Sequence, residues 1–178
     1  FLLVLVQPDF GSAIILFAIW FGMTIVSGIS KKHLVIVFGA GIIAFLGMWF
    51  FVLQPYQQAR IKTFIHPLTD IRGAGYNAYQ STIAVGSGEL LGKGIGFGTQ
   101  SRLKFLPEYQ TDFIFASFAE EWGFVGVLLL LLCYGVIIWR ILANAALGAT
   151  NFETLFALGF AIFLMTQLSI HIGMNMGL

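Results

Sequence analysis

The sequence predicts an all-α polytopic membrane protein with four transmembrane helices and one long loop that contains short helices. Of its 178 residues, 58% are hydrophobic and only 10% are charged, whereas soluble domains carry about 25% charged residues. The mean hydropathy is +0.91. Four charge-poor stretches each reach the roughly 20 residues that a helix needs to cross a bilayer. A soluble protein with a buried helical core is the alternative, and it would need a polar shell that this chain lacks.

The predicted spans lie at about 10–29, 34–53, 113–139 and 155–172, within a single membrane domain that covers 1–178. The first residues and the last residues both belong to apolar stretches, so we expect an internal fragment of a longer protein. The single Cys133 rules out an internal disulfide bond. A net charge of +1 without a basic stripe gives no indication of a nucleic-acid partner.

Charge alone leaves the orientation of this domain open. By parity, the short connections 30–33 and 140–154 lie on one side of the membrane, and Lys31, Lys32 and Arg140 favour the cytoplasm for that side. The long loop, 54–112, then lies outside the cytoplasm. That loop carries more positive charge than the short connections, which argues against this orientation. An external basic loop needs its own reason, such as an anionic substrate.

The long loop has the composition of a folded segment and not of a linker. Aromatic and aliphatic residues occur throughout it, and long loops in compact proteins are usually functional. Glycine is dense between 73 and 98. Glycine permits positive φ and close backbone approach, so such a run serves either as a re-entrant membrane turn or as an amide cradle for an anion. Both interpretations stay open.

A short helix is predicted inside the loop at 76–85. Tyr76, Tyr79 and Ile83 share one face, which we expect to lie on the helix bundle or at the membrane interface. Gln80 and Ser81 lie near the far edge, facing the loop interior or water. The segment is therefore either an interfacial helix with aromatic anchors or part of a substrate-binding wall.

Asp112 stands where the polar loop becomes the third apolar stretch, with Glu108 four residues before it. A carboxylate at a helix start is favoured by free amides and by the helix dipole, so an N-cap is one interpretation. An ionisable group at the membrane boundary is also a functional candidate. Position and chemistry alone do not decide between the two.

Other polar groups lie in or beside the apolar stretches. Glu120 is about 12 Å beyond Asp112 along a helix, too far for the two to work as a carboxylate pair. We expect Glu120 and Glu121 to be structural polar residues between helices, and Asp9 to cap the first helix. Two polar residues near the end of the fourth span are interpreted as helix-packing residues: His171 and Asn175.

Motifs along nearly the whole chain match one family. The matching segments are 7–12 (QPDFGS), 56–61 (YQQARI), 73–88, 92–94 (GKG), 98–100 (GTQ), 105–108 (FLPE), 111–115 (TDFIF), 119–123 (AEEWG) and 173–178 (GMNMGL). Together they resemble the SEDS family (shape, elongation, division and sporulation). The Gly-Thr-Gln-Ser pattern at 98–101 resembles the elongation branch, RodA, more than the division branch, FtsW.

The resemblance implies a ten-helix bundle in the bacterial cytoplasmic (inner) membrane, with the long loop extracytoplasmic. The implied activity is polymerisation of lipid II, an undecaprenyl-pyrophosphate-linked disaccharide peptide, into β-1,4 glycan strands of peptidoglycan during cell elongation and shape maintenance. The family's catalytic aspartate carries over to Asp112 as general base. An α-linked donor that gives a β-linked product means inversion in a single displacement.

The departing pyrophosphate calls for positive charge. The predicted substrate-binding residues are Arg60, Lys93, Arg102 and Lys104 for the pyrophosphate, with Gln80, Ser81, Gln100 and Glu108 beside them. No metal-ligand set is predicted, although a divalent cation, Mg²⁺ or Mn²⁺, is a candidate to share the pyrophosphate.

The implied partners are a class B penicillin-binding protein transpeptidase and other membrane proteins of the elongation complex. Two alternatives remain: a lipid II flippase or transporter, since intramembrane acids and glycine-broken segments also suit transporters, and a non-catalytic scaffold for a penicillin-binding protein. The sequence departs from the family pattern at Gln110, where histidine is usual, and at Glu89, where glycine is common.

Overall fold

The computed structural model describes residues 4, 10–51, 53–55, 58, 75–103, 105–106 and 109–177. Within these ranges the chain is helical and contains no β-strand, so the all-α prediction is confirmed there. The helices are α1 (Phe10–Val26), α2 (Lys31–Phe51), α3 (Tyr76–Ser87), α4 (Thr99–Arg102), α5 (Ile114–Ala146) and α6 (Asn151–Met176).

Three of the helices are long and apolar enough to cross a membrane, namely α2, α5 and α6. Helix α1 is apolar but has 17 residues, which is shorter than the predicted span 10–29. The count of four spans therefore stays a prediction. Helix α5 has 33 residues, counted across a non-helical residue at Gly123. The part from 124 to 146 alone is about 35 Å long at 1.5 Å per residue, enough to cross a hydrocarbon core of about 30 Å.

Helix α1 packs on α6 through small residues. A Cβ added at Gly22 would collide with the Ile162 side chain, and one added at Gly159 would lie 3.2 Å from the Met23 sulfur. Small residues let membrane helices approach closely, which replaces the hydrophobic driving force that lipid does not supply. Helix α2 contacts α1 through its Phe38 ring, 4.9 Å from that of Phe21.

Helix α3 confirms the short helix predicted at 76–85 and lies against α5 and α6. Its buried face consists of Ala78, Ser81 and Ala84. The predicted face behaves differently, since each of its three aromatic and aliphatic side chains is more than a third exposed. The bundle is therefore contacted by the small residues, and of the two predicted positions for the aromatic face the membrane interface is the one that remains.

A small apolar core fixes the end of the long loop to the bundle. Leu106 is fully buried and Phe113 is 7% exposed, and both pack with Ala84 of α3 and Ala116 of α5. Tyr109 lies against the same cluster. Burying a large apolar side chain contributes about 2 kcal/mol, so Leu106, Tyr109 and Phe113 hold the described part of this segment, 109–113, on the bundle. That segment includes Asp112.

Candidate active site

Helix α5 is interrupted at Gly123, whose φ of 64° and ψ of −168° are not helical. In an unbroken helix, Phe124 N–H would bond the Glu120 carbonyl, and Val125 N–H would bond the Glu121 carbonyl. The interruption leaves two donors and two acceptors without their helical partners. Unsatisfied backbone groups cost several kcal/mol each in a membrane.

The loop segment 88–94 replaces these lost bonds. Phe124 N–H donates to the Glu89 carbonyl at 2.9 Å, and Val125 N–H donates to the Leu90 carbonyl at 3.1 Å. In return, two loop amides donate to the freed helix carbonyls, Lys93 N–H to Glu120 and Gly94 N–H to Glu121, both at 3.0 Å. The loop is therefore docked in the break and completes the hydrogen bonding of the helix.

This docking explains two of the glycines in the dense run. A Cβ at Gly92 would lie 2.1 Å from the Glu121 carbonyl oxygen, and one at Gly88 would lie 2.0 Å from the Ala119 carbonyl oxygen. The two backbones approach too closely for any side chain at these positions. Close backbone approach is therefore what these two positions require of glycine. The two predicted roles of the run, a re-entrant turn and an amide cradle for an anion, both stay predictions.

Alanine at Gly123 is expected to destabilise the full-length protein by about 3 kcal/mol, because its backbone region is almost exclusive to glycine. In addition, the new Cβ would lie 2.3 Å from Gly92 N. Thermal unfolding in detergent measures the loss. Alanine at Gly135 of the same helix is the control, since a Cβ there meets nothing within 4 Å, and its expected change is below about 1 kcal/mol. Equal melting temperatures for the two variants would contradict the docking.

The Glu120 carboxylate is the polar centre of this docked loop. It is fully buried. Its Oε1 accepts from Lys93 Nζ at 2.8 Å, from Thr99 N–H at 2.8 Å and from Thr99 Oγ1 at 2.9 Å. Gln100 N–H lies 3.1 Å from Oε1 and 3.2 Å from Oε2. A buried carboxylate is stable only when it is paired and hydrogen-bonded in this way.

Lys93 therefore forms an ion pair with Glu120. Its ammonium lies 2.8 Å from Glu120 Oε1 and also donates to Thr99 Oγ1 at 2.8 Å, while 30% of the side chain stays exposed. The positive charge of Lys93 is thus largely balanced within the protein. This weakens the case for Lys93 as the residue that holds a departing pyrophosphate.

The N-terminus of α5 is capped by a side chain from the neighbouring helix α6. The N-cap residue itself, Phe113, makes no side-chain cap hydrogen bond. Instead, Asn175 near the end of α6 places its Oδ1 3.0 Å from Ala116 N–H and its Nδ2 3.1 Å from the Asp112 carbonyl. Asn175 therefore does the work that an N-cap side chain usually does.

Asp112 is exposed and directly precedes this cap. Among the described residues, its carboxylate has no hydrogen-bond or ion-pair partner, and its main-chain carbonyl is bound by Asn175. The N-cap interpretation of Asp112 is therefore wrong, because Phe113 is the N-cap residue and Asn175 supplies the cap hydrogen bond. Within the described ranges the carboxylate is thus unpaired, on a backbone that Asn175 holds, an arrangement suited to accepting a proton.

The other predicted site residues are spread over the structure. Gln100 joins Lys93 at Glu120, and its buried Oε1 has no partner within the described ranges. Arg102 ends α4 and is exposed, whereas Gln80 is partly buried. Ser81 is fully buried, and its hydroxyl donates to the Asn175 carbonyl at 2.7 Å. Four predicted residues lie outside the described ranges: Asp9, Arg60, Lys104 and Glu108.

Two residues with a clear place in the site were not predicted. Asn175 was interpreted as a helix-packing residue, and its only sequence signal was an amide beside an apolar segment. Thr99 binds Glu120 through both its amide and its hydroxyl. Its sequence signal was its position in the Gly-Thr-Gln motif.

The structure describes both residues at which the sequence departs from the family pattern, Glu89 and Gln110. Glu89 has a φ of 46°, in the left-handed region that glycine adopts without cost. The Gln110 side-chain amide donates to the Tyr109 hydroxyl at 2.9 Å. No group of three or more His, Cys, Asp or Glu side chains converges within the described part of the chain, so the divalent cation stays a prediction.

Fold and site together define a helical membrane protein in which a glycine-rich loop completes a broken helix and ends in an exposed carboxylate. Comparison with known proteins agrees with this class. Residues 1–178 match the profile of the FTSW_RODA_SPOVE family, described as Cell cycle protein. The chain belongs to this family.

Three relatives illustrate the similarity. The peptidoglycan glycosyltransferase MrdB of Escherichia coli (strain K12) is 43% identical over 99% of this chain and 48% of its own length. Stage V sporulation protein E of Bacillus subtilis (strain 168) is 39% identical over 100% of this chain and 48% of its own. The probable peptidoglycan glycosyltransferase FtsW of Thiomicrospira cyclica is 38% identical, over 98% and 45%. The chain therefore spans about half the length of these relatives.

Proposed function

We propose that the full-length protein is a peptidoglycan glycosyltransferase that polymerises lipid II, with Asp112 as its general base. One observation carries this assignment. The Asp112 carboxylate is exposed and unpaired within the described ranges, while its backbone is held by Asn175 and by the buried Phe113 beside it. A base must be free to bind a proton and fixed well enough to reach it.

The proposed reaction is a single inverting displacement. The 4-hydroxyl oxygen of an acceptor GlcNAc attacks the anomeric carbon of the donor sugar, and its proton passes to an Asp112 carboxylate oxygen. The bond between the anomeric carbon and the pyrophosphate oxygen breaks, and undecaprenyl pyrophosphate leaves with the bonding electron pair. The products are one β-1,4 linkage and a protonated Asp112.

The leaving pyrophosphate needs positive charge near it. Arg102 is exposed at the end of α4, so we favour it over Lys93, whose charge is paired with Glu120. Arg60 and Lys104 remain candidates to bind the pyrophosphate, on the sequence alone. A Mg²⁺ or Mn²⁺ ion that shares this role also remains part of the proposal. Ser81 is left out, because its hydroxyl is buried between helices.

We further propose an elongation role and an extracytoplasmic active-site loop in the bacterial cytoplasmic membrane. The Gly-Thr-Gln-Ser pattern supports the elongation branch, and the identity to the MrdB relative, 43%, is above that to the FtsW relative, 38%. A class B penicillin-binding protein and other elongation-complex proteins are the proposed partners. The basic loop supports an external position, since it suits a pyrophosphate-bearing lipid.

The decisive experiment gives the purified full-length protein lipid II in detergent and in proteoliposomes. We expect glycan polymer in both. Movement of lipid II across the proteoliposome bilayer without polymer would support the transporter instead. Binding to a penicillin-binding protein with neither polymer nor transport would support the scaffold. Either outcome would overturn the proposed activity.

A further inference from the structure

A buried amide joins the ends of α5 and α6. Asn175 is fully buried. Its Oδ1 accepts from Ala116 N–H at 3.0 Å, and its Nδ2 donates to the carbonyls of Asp112 at 3.1 Å and His171 at 2.8 Å. The Ser81 hydroxyl, which binds the Asn175 main chain, also lies 3.4 Å from Oδ1. Both hydrogens of this amide and at least one lone pair of its oxygen are therefore used.

These partners fix which way the amide points. A main-chain N–H can only donate, so Ala116 must face the oxygen of Asn175. A main-chain carbonyl can only accept, so Asp112 and His171 must face its nitrogen. Rotating the amide by half a turn would place donor against donor at Ala116 and acceptor against acceptor at Asp112 and His171. The orientation of the Asn175 amide is therefore set by the main-chain groups around it.

The same amide supplies the helix cap and holds the Asp112 backbone. An aspartate beside a helix start would ordinarily turn its carboxylate onto a first-turn amide. Here the cap hydrogen bond to Ala116 N–H comes from Asn175 Oδ1, and the Asp112 carbonyl is held 3.1 Å from Asn175 Nδ2. The Asp112 main chain is fixed, and its carboxylate does not serve as the cap.

We propose that Asn175 is the positioning residue for the general base, a role that rests on the proposed function of Asp112. Asn175 does not touch the reacting atoms. It holds the Asp112 carbonyl and supplies the helix cap in place of Asp112, so it fixes the carboxylate's position through the main chain. A displacement of about 1 Å in a catalytic group costs on the order of 100-fold in rate, which sets the scale of the expected effect.

The first test is Asn175→Ala in the full-length protein, assayed with lipid II. We expect kcat to fall by about 10-fold to 100-fold, with KM for lipid II changed by less than about 3-fold, because the substrate's own contacts remain. Hydrogen exchange should accelerate at the first-turn amides of α5. An unchanged kcat per folded molecule would overturn the positioning role, and so would unchanged exchange at Ala116.

The matched control removes a helix cap that has no connection to Asp112. Thr150 is the N-cap of α6 at the opposite end of that helix, and its side chain accepts from Glu153 N–H at 3.3 Å. Thr150→Ala should lower the melting temperature and leave kcat unchanged. If Thr150→Ala reduced kcat as much as Asn175→Ala does, loss of stability would explain both results, and the proposal would fail.

A second variant separates the two halves of the amide. Asn175→Asp keeps an acceptor for Ala116 N–H, where a carboxylate is favoured by the helix dipole, and loses the donor to the Asp112 carbonyl. We expect slow exchange at Ala116 together with the reduced kcat. Full activity in Asn175→Asp would overturn the role of the Asp112 contact. Asp112→Asn in the same assay tests the base assignment independently of the positioning role. If Asp112→Asn stays active, the proposed function fails, whatever the result for the Asn175 variants.

Discussion

Replacing Asp112 with asparagine is expected to reduce lipid II polymerisation by about 10²-fold to 10⁴-fold, the usual contribution of a general base. Asparagine has nearly the same shape but cannot take the proton of the attacking hydroxyl. The fold should tolerate the change, because the Asp112 side chain is exposed. The group that Asn175 binds is the Asp112 carbonyl, which the substitution leaves in place.

Polymer length and yield on gels measure this loss, and size-exclusion chromatography with thermal unfolding checks the fold. Glu153→Gln is the control for charge, since it removes one exposed carboxylate at the far end of α6. That variant should polymerise normally. Polymerisation by Asp112→Asn at the rate of the unaltered protein would remove the base from the mechanism. It would return the transporter and scaffold alternatives to consideration.

Asp112 and Asn175 differ in how far their roles could be predicted from the sequence. A charged group at a membrane boundary is costly wherever its partners lie, so position made Asp112 a functional candidate beside the N-cap interpretation. Its proposed role as a base came from the family motif. The role of Asn175 depends on Ala116 and Asp112, which lie 59 and 63 residues away in the chain. Periodicity and hydropathy describe single segments, so they hold no information about which backbone groups a distant side chain meets.

The break in α5 at Gly123 is a second feature that the sequence did not predict. The apolar stretch around Gly123 predicted one continuous span, and helix α5 is long and apolar but is interrupted at that residue. Hydropathy does not register backbone direction, so the non-helical Gly123 was not predicted. The glycine run predicted close backbone approach, but its partner, the carbonyls of 119–121, became visible only in three dimensions.

Glu120 and Glu121 are adjacent and were given the same structural role from the sequence. The structure separates them, because successive residues on a helix point about 100° apart. Glu120 is fully buried and faces the docked loop, whereas Glu121 is partly buried. In the described part of the chain, no residue pairs with the Glu121 carboxylate. Sequence alone does not decide which of two neighbouring carboxylates faces inward.

Glu120→Ala is therefore expected to cost the full-length protein about 3 kcal/mol of stability, because removing one partner of a buried pair leaves the other groups unsatisfied. Those groups are the Thr99 and Gln100 amides and the Lys93 ammonium. The damage should concentrate in the loop that holds α4. Hydrogen exchange across 93–103 should accelerate strongly, and thermal unfolding should begin at a lower temperature.

Glu121→Ala is the matched control one residue away, with the same loss of charge and an expected change within about 0.5 kcal/mol. A double-mutant cycle then tests the ion pair itself. Lys93→Met added to Glu120→Ala should cost less than the sum of the single changes, since it removes the ammonium that Glu120→Ala leaves unpaired. Strict additivity, or equal loss in Glu121→Ala, would mean that the docked loop is held by its backbone bonds to α5 and not by Glu120.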